Sequence, residues 1–205
     1  MRAPHEHPEV SVHTQSFGQY VRLLDKSDWR GVADLMLDSA EKLSKAGADF
    51  LICPDNTVHG AMSFVEPASP LPWLNIAVIV AERAVESGYH RVGLLGTRWL
   101  IESETYPEQL RSRGVEFMLP SRDERSEGHR IIMDELVAGK FEPESVAYYQ
   151  RTIQRMKGAG CDAVVLGCTE LPLILTDSNS SLPTLDSTRL LARAALRRAA
   201  HRISS

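Results

Sequence analysis

Four times along this sequence a stretch with helical apolar periodicity ends at a glycine, and a compact apolar run begins within a few residues. Residues 29–46 space Trp29, Val32, Leu35, Met36, Leu43 and Ala46 on one helical face; Gly47 follows, and residues 49–53 form the apolar run. The order recurs at 77–87 with Gly88 and 91–95, at 103–113 with Gly114 and 115–118, and at 143–157 with Gly160 and 163–166. Glycine suits these joints because it takes the left-handed backbone after a helix at little steric cost. Runs that are apolar on both faces suit strands covered from two sides. The pattern predicts an α/β fold, a mainly parallel sheet flanked by helices, with ligands beyond the carboxyl ends of the strands. Short strands are also expected at 10–13 and 184–186, a helix at 122–138, and a final helix at 187–202.

The chain also repeats itself. Residues 47–57, Gly-Ala-Asp-Phe-Leu-Ile-Cys-Pro-Asp-Asn-Thr, lie over residues 160–170, Gly-Cys-Asp-Ala-Val-Val-Leu-Gly-Cys-Thr-Glu. Pro72-Trp73-Leu74-Asn75 then lies over Pro183-Thr184-Leu185-Asp186, and Ala81 and Ala84 over Ala192 and Ala195. Two matches in one order predict two related lobes with a cleft between them, the first built from 1–74 and 187–205, the second from 75–186. In this pairing Asp55 takes the place of Cys168, and both follow a strand. Across a pseudo-twofold axis they face one cleft, which suits chemistry needing an acid/base group on each side of a carbon.

Composition narrows the function. Lys and Arg total 23 against 27 Asp and Glu, a net charge of −4, so no broad basic surface points to nucleic acid or an anionic membrane. No apolar run approaches the ~20 residues of a membrane span. Three cysteines, Cys53, Cys161 and Cys168, make a disulfide framework improbable and fit a reducing cytoplasm. No Cys-x-x-Cys or His-Glu-x-x-His occurs, and His5 and His7 stand in a terminal segment, so no metal site is expected.

Cys53-Pro54-Asp55-Asn56-Thr57-Val58-His59, Gly167-Cys168-Thr169-Glu170-Leu171, Leu94-Leu95-Gly96-Thr97-Arg98 and Leu185-Asp186-Ser187-Thr188 carry a resemblance. From about Val10 to the last helix, the chain resembles the cofactor-independent aspartate/glutamate racemases. The resemblance implies two α/β lobes, no pyridoxal phosphate or metal, a small-molecule substrate, a homodimer, and two cysteines flanking a substrate α-carbon. It places Cys168 as one acid/base and Asp55 at the other cysteine position, with Cys53 two residues earlier as a reserve. An acidic amino acid is the default substrate, although Asp55 would repel a second carboxylate. Relatives with one cysteine decarboxylate malonates or isomerise maleate, and a non-catalytic ligand-binding homologue is a further alternative. The family ordinarily opens on a strand and a glycine-rich loop, roughly one βα unit of ~30 residues, that is not found here. A late start, a trimmed sequence or a partner subunit filling the gap would account for this.

The remaining candidates follow from position. Backbone N–H groups at a helix start after Cys168 are expected to lower its pKa below ~8.5. Asp55, at ~3.9 if solvated, needs desolvation or a nearby like charge to work near neutrality, and a Cys168 thiolate would supply that charge. Asn56, Thr57, Thr97 and Thr169 donate to a substrate carboxylate or cap the following helices. His59 orients a catalytic group or lies on a surface turn. Glu170 positions Thr169, relays a proton, or stabilises a helix start. Lys140 is a carboxylate clamp by resemblance or an exposed lysine, and Gln15 and Ser16 are weaker candidates.

Overall fold

The computed structural model describes residues 7–202; His5 lies outside them. Along the chain run α1 (Phe17–Leu24), α2 (Trp29–Lys45), β1 (Leu51–Ile52), a 3-10 turn (Thr57–Ala61) leading into α3 (Met62–Val65), β2 (Trp73–Leu74) and α4 (Ile76–Glu86). Then come β3 (Arg91–Gly96), α5 (Arg98–Ile101), α6 (Thr105–Arg111), β4 (Glu116–Met118) and α7 (Arg122–Arg130). A π-helical segment (Ile131–Glu135) and a 3-10 turn (Leu136–Ala138) continue α7. The chain closes with α8 (Pro143–Gly158), β5 (Ala163–Gly167), α9 (Leu171–Ile174), β6 (Thr184–Asp186) and α10 (Ser187–Arg202). The strands form two parallel sheets, β1-β2 and β4-β3-β5-β6. This is the expected α/β architecture. All four joint glycines take positive φ, between 72° and 90°.

The repeat holds atom by atom. Leu51 pairs with Trp73 and Ile52 with Leu74, just as Val164 pairs with Thr184 and Val165 with Leu185. The Leu51 N–H donates to the Pro72 carbonyl at 2.9 Å, and the Val164 N–H to the Pro183 carbonyl at 3.0 Å. The Ser69 hydroxyl donates to the Leu71 carbonyl at 2.7 Å, and that of Ser180 to Leu182 at 2.6 Å. Asn75 caps α4 through the Ala77 N–H at 3.0 Å, and Asp186 caps α10 through the Arg189 N–H at 2.9 Å.

The larger sheet is covered on both sides. Leu95, Val164 and Leu166 pack with Ile131, Tyr149, Ile153 and Met156 from the α7 and α8 side. Val92, Leu94, Val165 and Leu185 pack with Ala77, Val80, Ala81 and Leu110 from α4 and α6. A third core joins Leu24, Val32, Met36, Val58, Met62 and Val65 around α2. Helix α10 lies along α4 and also touches β2.

Several expectations are corrected. Residues 10–13 form no strand, and Val10 and Val12 are 77% and 78% exposed. A strand needs a neighbouring strand to bond, and among the described residues none pairs with 10–13. Among the described residues β1 pairs only with β2, whereas its counterpart β5 lies between β3 and β6. The same lack shortens the run at 49–53 to two paired residues. The helix expected at 103–113 starts later, because the Ser103 hydroxyl bonds the Leu100 carbonyl and the Thr105 N–H instead. The helix at 122–138 opens into a π turn at Ile131.

Candidate active site

The carboxyl ends of β1, β3 and β5 converge on a cavity of about 380 Å³. Asp55, Asn56, Thr57, Thr97, Gly167, Cys168, Thr169 and Glu170 line it from the strand ends. Phe17, Tyr20, Leu24, Trp99, Ile132, Met133 and Val137 line it from the helices. Gly96 and Gly167 stand side by side on β3 and β5, and Gly167 lines the cavity without a side chain. A Cβ on Gly167 would lie 2.8 Å from the Leu95 carbonyl oxygen and 2.6 Å from Leu100 Cδ2.

Asp55 and Cys168 therefore share one cavity, as the repeat predicts. The Cys168 thiol donates to Glu170 Oε2 at 2.9 Å, and the Thr169 hydroxyl donates to the same oxygen at 2.7 Å. Burial pushes the thiol well above its ordinary pKa, and the neighbouring Glu170 carboxylate and Asp55 add to the rise. This corrects the expectation of a lowered value: α9 starts only at Leu171, has four residues, and is outweighed by burial. Asp55 is also raised, first by burial, with Glu170 as the like charge and the Val58 and Thr57 N–H groups opposing. Its charged neighbour is thus Glu170 rather than a Cys168 thiolate. The Val58 N–H to Asp55 Oδ1 bond, 3.2 Å, also caps the 3-10 turn.

Asn56 is 2% exposed, and its Oδ1 accepts from the Tyr106 hydroxyl at 2.5 Å. Its Nδ2 is buried without a partner. The Tyr106 bond fixes the amide plane, and a donor remains beside the cavity. Thr57 and Thr97 bond each other through their hydroxyls at 2.9 Å, and Thr97 caps α5 by accepting from Leu100 N–H at 3.3 Å.

Other candidates lie apart from the cavity lining. His59 is buried; its Nδ1–H donates to the Asp55 carbonyl at 2.7 Å, so it steadies the Asp55 loop from behind. Burial lowers its pKa to about 4. Cys53 packs into the α2 core, and burial with nearby Asp55 pushes its thiol up to about 12. Cys161 is buried against the α8 side of the larger sheet. Lys140 is exposed because Gly139, at φ 71°, turns the chain outward. Gln15 spends its amide on Asp38 and the Leu35 carbonyl of α2, and Ser16 starts α1 with no side-chain cap bond. Sequence reasoning missed Tyr106 and the apolar wall. Phe17, Tyr20 and Leu24 at helical spacing were the signal for α1; nothing local marks Tyr106.

Among the described residues no cluster of His, Cys, Asp and Glu could hold a metal, and no helix is long and apolar enough to cross a membrane. A sequence model of the Asp/Glu/Hydantoin racemase family matches residues 1–195. A broad specificity amino-acid racemase of Bacillus subtilis is 26% identical over 164 residues, 77% of this chain and 68% of that protein. A glutamate racemase of Aquifex aeolicus is 26% identical, over 76% of this chain and 61% of its own length. Among solved structures, an aspartate racemase homologue of Pyrococcus horikoshii superposes with a TM-score of 0.82 at 27% identity, covering 97% of this chain and 87% of that one.

Proposed function

Because this chain belongs to the Asp/Glu/hydantoin racemase family, we propose that it is an amino-acid racemase moving the α-proton between two faces without a cofactor. The observation that carries this reading is that Asp55 and Cys168, at equivalent places in the two repeats, line one cavity. Asp55 as carboxylate takes the α-hydrogen from one face, and the neutral Cys168 thiol delivers a proton to the other. Asp55 then holds the proton and Cys168 is a thiolate. The mirror substrate runs the reverse, from the state in which Asp55 is protonated and Cys168 is a thiolate. Glu170, already bonded to the thiol, exchanges the thiol proton and resets the pair with solvent. Asn56 Nδ2 and the one free hydroxyl proton of the Thr57–Thr97 pair receive the α-carboxylate as charge spreads onto it, joined by Thr169 when its hydroxyl turns from Glu170.

The test is incubation with amino acids in deuterium oxide, read by α-hydrogen exchange and by chiral analysis. Cys168→Ala and Asp55→Asn should each slow racemisation by about 10²–10⁴-fold, the usual worth of a positioned acid or base. Burial raises both groups. The rate should therefore climb with pH on a limb above the ordinary carboxylate value of ~3.9, as Asp55 loses its proton. It should decline on a limb above the ordinary thiol value of ~8.5, as Cys168 loses its own. No exchange on any amino acid, with ligand binding that survives Cys168→Ala, would favour a non-catalytic binder. Carbon dioxide release without exchange would favour the decarboxylase alternative, although among the described residues no cationic side chain lines the cavity to hold a dicarboxylate. The same reading carries a homodimer, as the family resemblance implies, and a reducing compartment, which three unpaired cysteines fit.

A further inference from the structure

The cavity is divided by chemistry. Every carboxyl, thiol and amide group that lines it comes from the strand ends, and two of those groups, Asp55 and Glu170, are carboxyls. Among the described residues no lysine, arginine or histidine lines it. Arg98, the nearest cation along the chain to this wall, is exposed and outside the lining. The helix-side wall is Phe17, Tyr20, Leu24, Trp99, Ile132, Met133 and Val137, uncharged and mostly apolar, with the Tyr20 hydroxyl its one oxygen-bearing side chain.

Resting on the racemase reading, we propose that the substrate is an amino acid with a large, uncharged apolar side chain, and that this wall selects it. The groups common to all amino acids exhaust the polar end. The α-ammonium is met by Asp55 and Glu170, and the α-carboxylate by the unpartnered Asn56 Nδ2 and the threonine hydroxyls. What is left for the side chain is an uncharged, mostly apolar wall whose polar points are the Tyr20 hydroxyl and the Trp99 indole N–H. A second carboxylate would lose its hydration against that wall, with no cation to replace it and two like charges nearby. An apolar side chain gains by leaving water there. Phe17 and Val137 support this: both line the cavity, yet they are 46% and 44% exposed, apolar surface that such a side chain would cover.

The experiment is the deuterium exchange assay run on leucine, methionine, phenylalanine, aspartate and glutamate with the intact chain, together with Val137→Arg. Val137 is exposed, so the variant should fold, which circular dichroism checks. The expected result is kcat/KM for the apolar set at least about 10–100-fold above that for aspartate and glutamate, the range one or a few methylenes command in an apolar pocket. Val137→Arg should shift the glutamate-to-leucine ratio toward glutamate by about tenfold or more. Aspartate or glutamate turning over faster than the apolar set overturns the proposal and leaves the racemase reading intact. An unchanged ratio in a folded Val137→Arg protein overturns the role given to the wall. Exchange on no amino acid overturns both readings.

Discussion

Asn56 illustrates how a single amide can be prepared for a ligand. Its oxygen is committed to Tyr106 while its nitrogen is buried and unbonded, a state that is costly unless a partner arrives. Tyr106→Phe should free the amide to rotate: KM rises and kcat/KM falls by about tenfold, while stability drops by only about 1 kcal/mol. Steady-state kinetics beside thermal denaturation separate the two effects. Behind the site, His59 stays neutral in the folded chain down to about pH 4, whereas its ordinary value is 6.5. The unfolded chain therefore binds more protons between those values, so stability falls as pH drops from 6.5 toward 4, by up to about 3 kcal/mol. Urea midpoints across that window measure it, and His59→Asn should flatten the slope. Both residues are legible in sequence as polar positions after a strand. Their partners are not: Tyr106 lies 50 residues from Asn56, and only packing brings them together.

Strand ends and helix ends respond differently to an added methyl group. Gly167 sits where a Cβ would strike a backbone oxygen of the next strand, which cannot retreat without moving β3. Gly167→Ala should destabilise the protein by about 1–3 kcal/mol and, by shifting Cys168, depress activity further than stability alone explains. Gly158, in the last turn of α8, has open space around its Cβ position and no positive φ. Gly158→Ala should be neutral or stabilising by about 0.4–1 kcal/mol; paired melting curves of the two variants decide the contrast. The glycine joints and buried runs make most of these elements readable in advance. The π turn at Ile131–Glu135 is not, because besides its local pair with Arg130 at 2.9 Å Glu135 is drawn to the Ser145 hydroxyl, a contact that exists only once α8 has docked.

The Thr57–Thr97 and Asn56–Tyr106 bonds tie the first repeat to the segment from β3 to α6, and the two repeats differ in support. The β3 and β5 amides lie within a four-stranded sheet covered on both faces, whereas β1 and β2 make a two-stranded sheet of two residues each. Small sheets are marginal. Hydrogen exchange should therefore find the Leu51 amide opening at least about tenfold faster than those of Leu94 and Val165, and equal protection would contradict this difference. Periodicity, glycine joints and an internal repeat are local or pairwise along the chain, so the sequence alone determined the α/β class and the equivalent places of Asp55 and Cys168 after their strands. Burial is a property of everything packed around a group. Only the tertiary structure therefore decided that the Cys168 thiol is raised rather than lowered, that Cys53 and Lys140 stand aside from the cavity, and that its helix-side wall is mostly apolar and, among the described residues, without a cation.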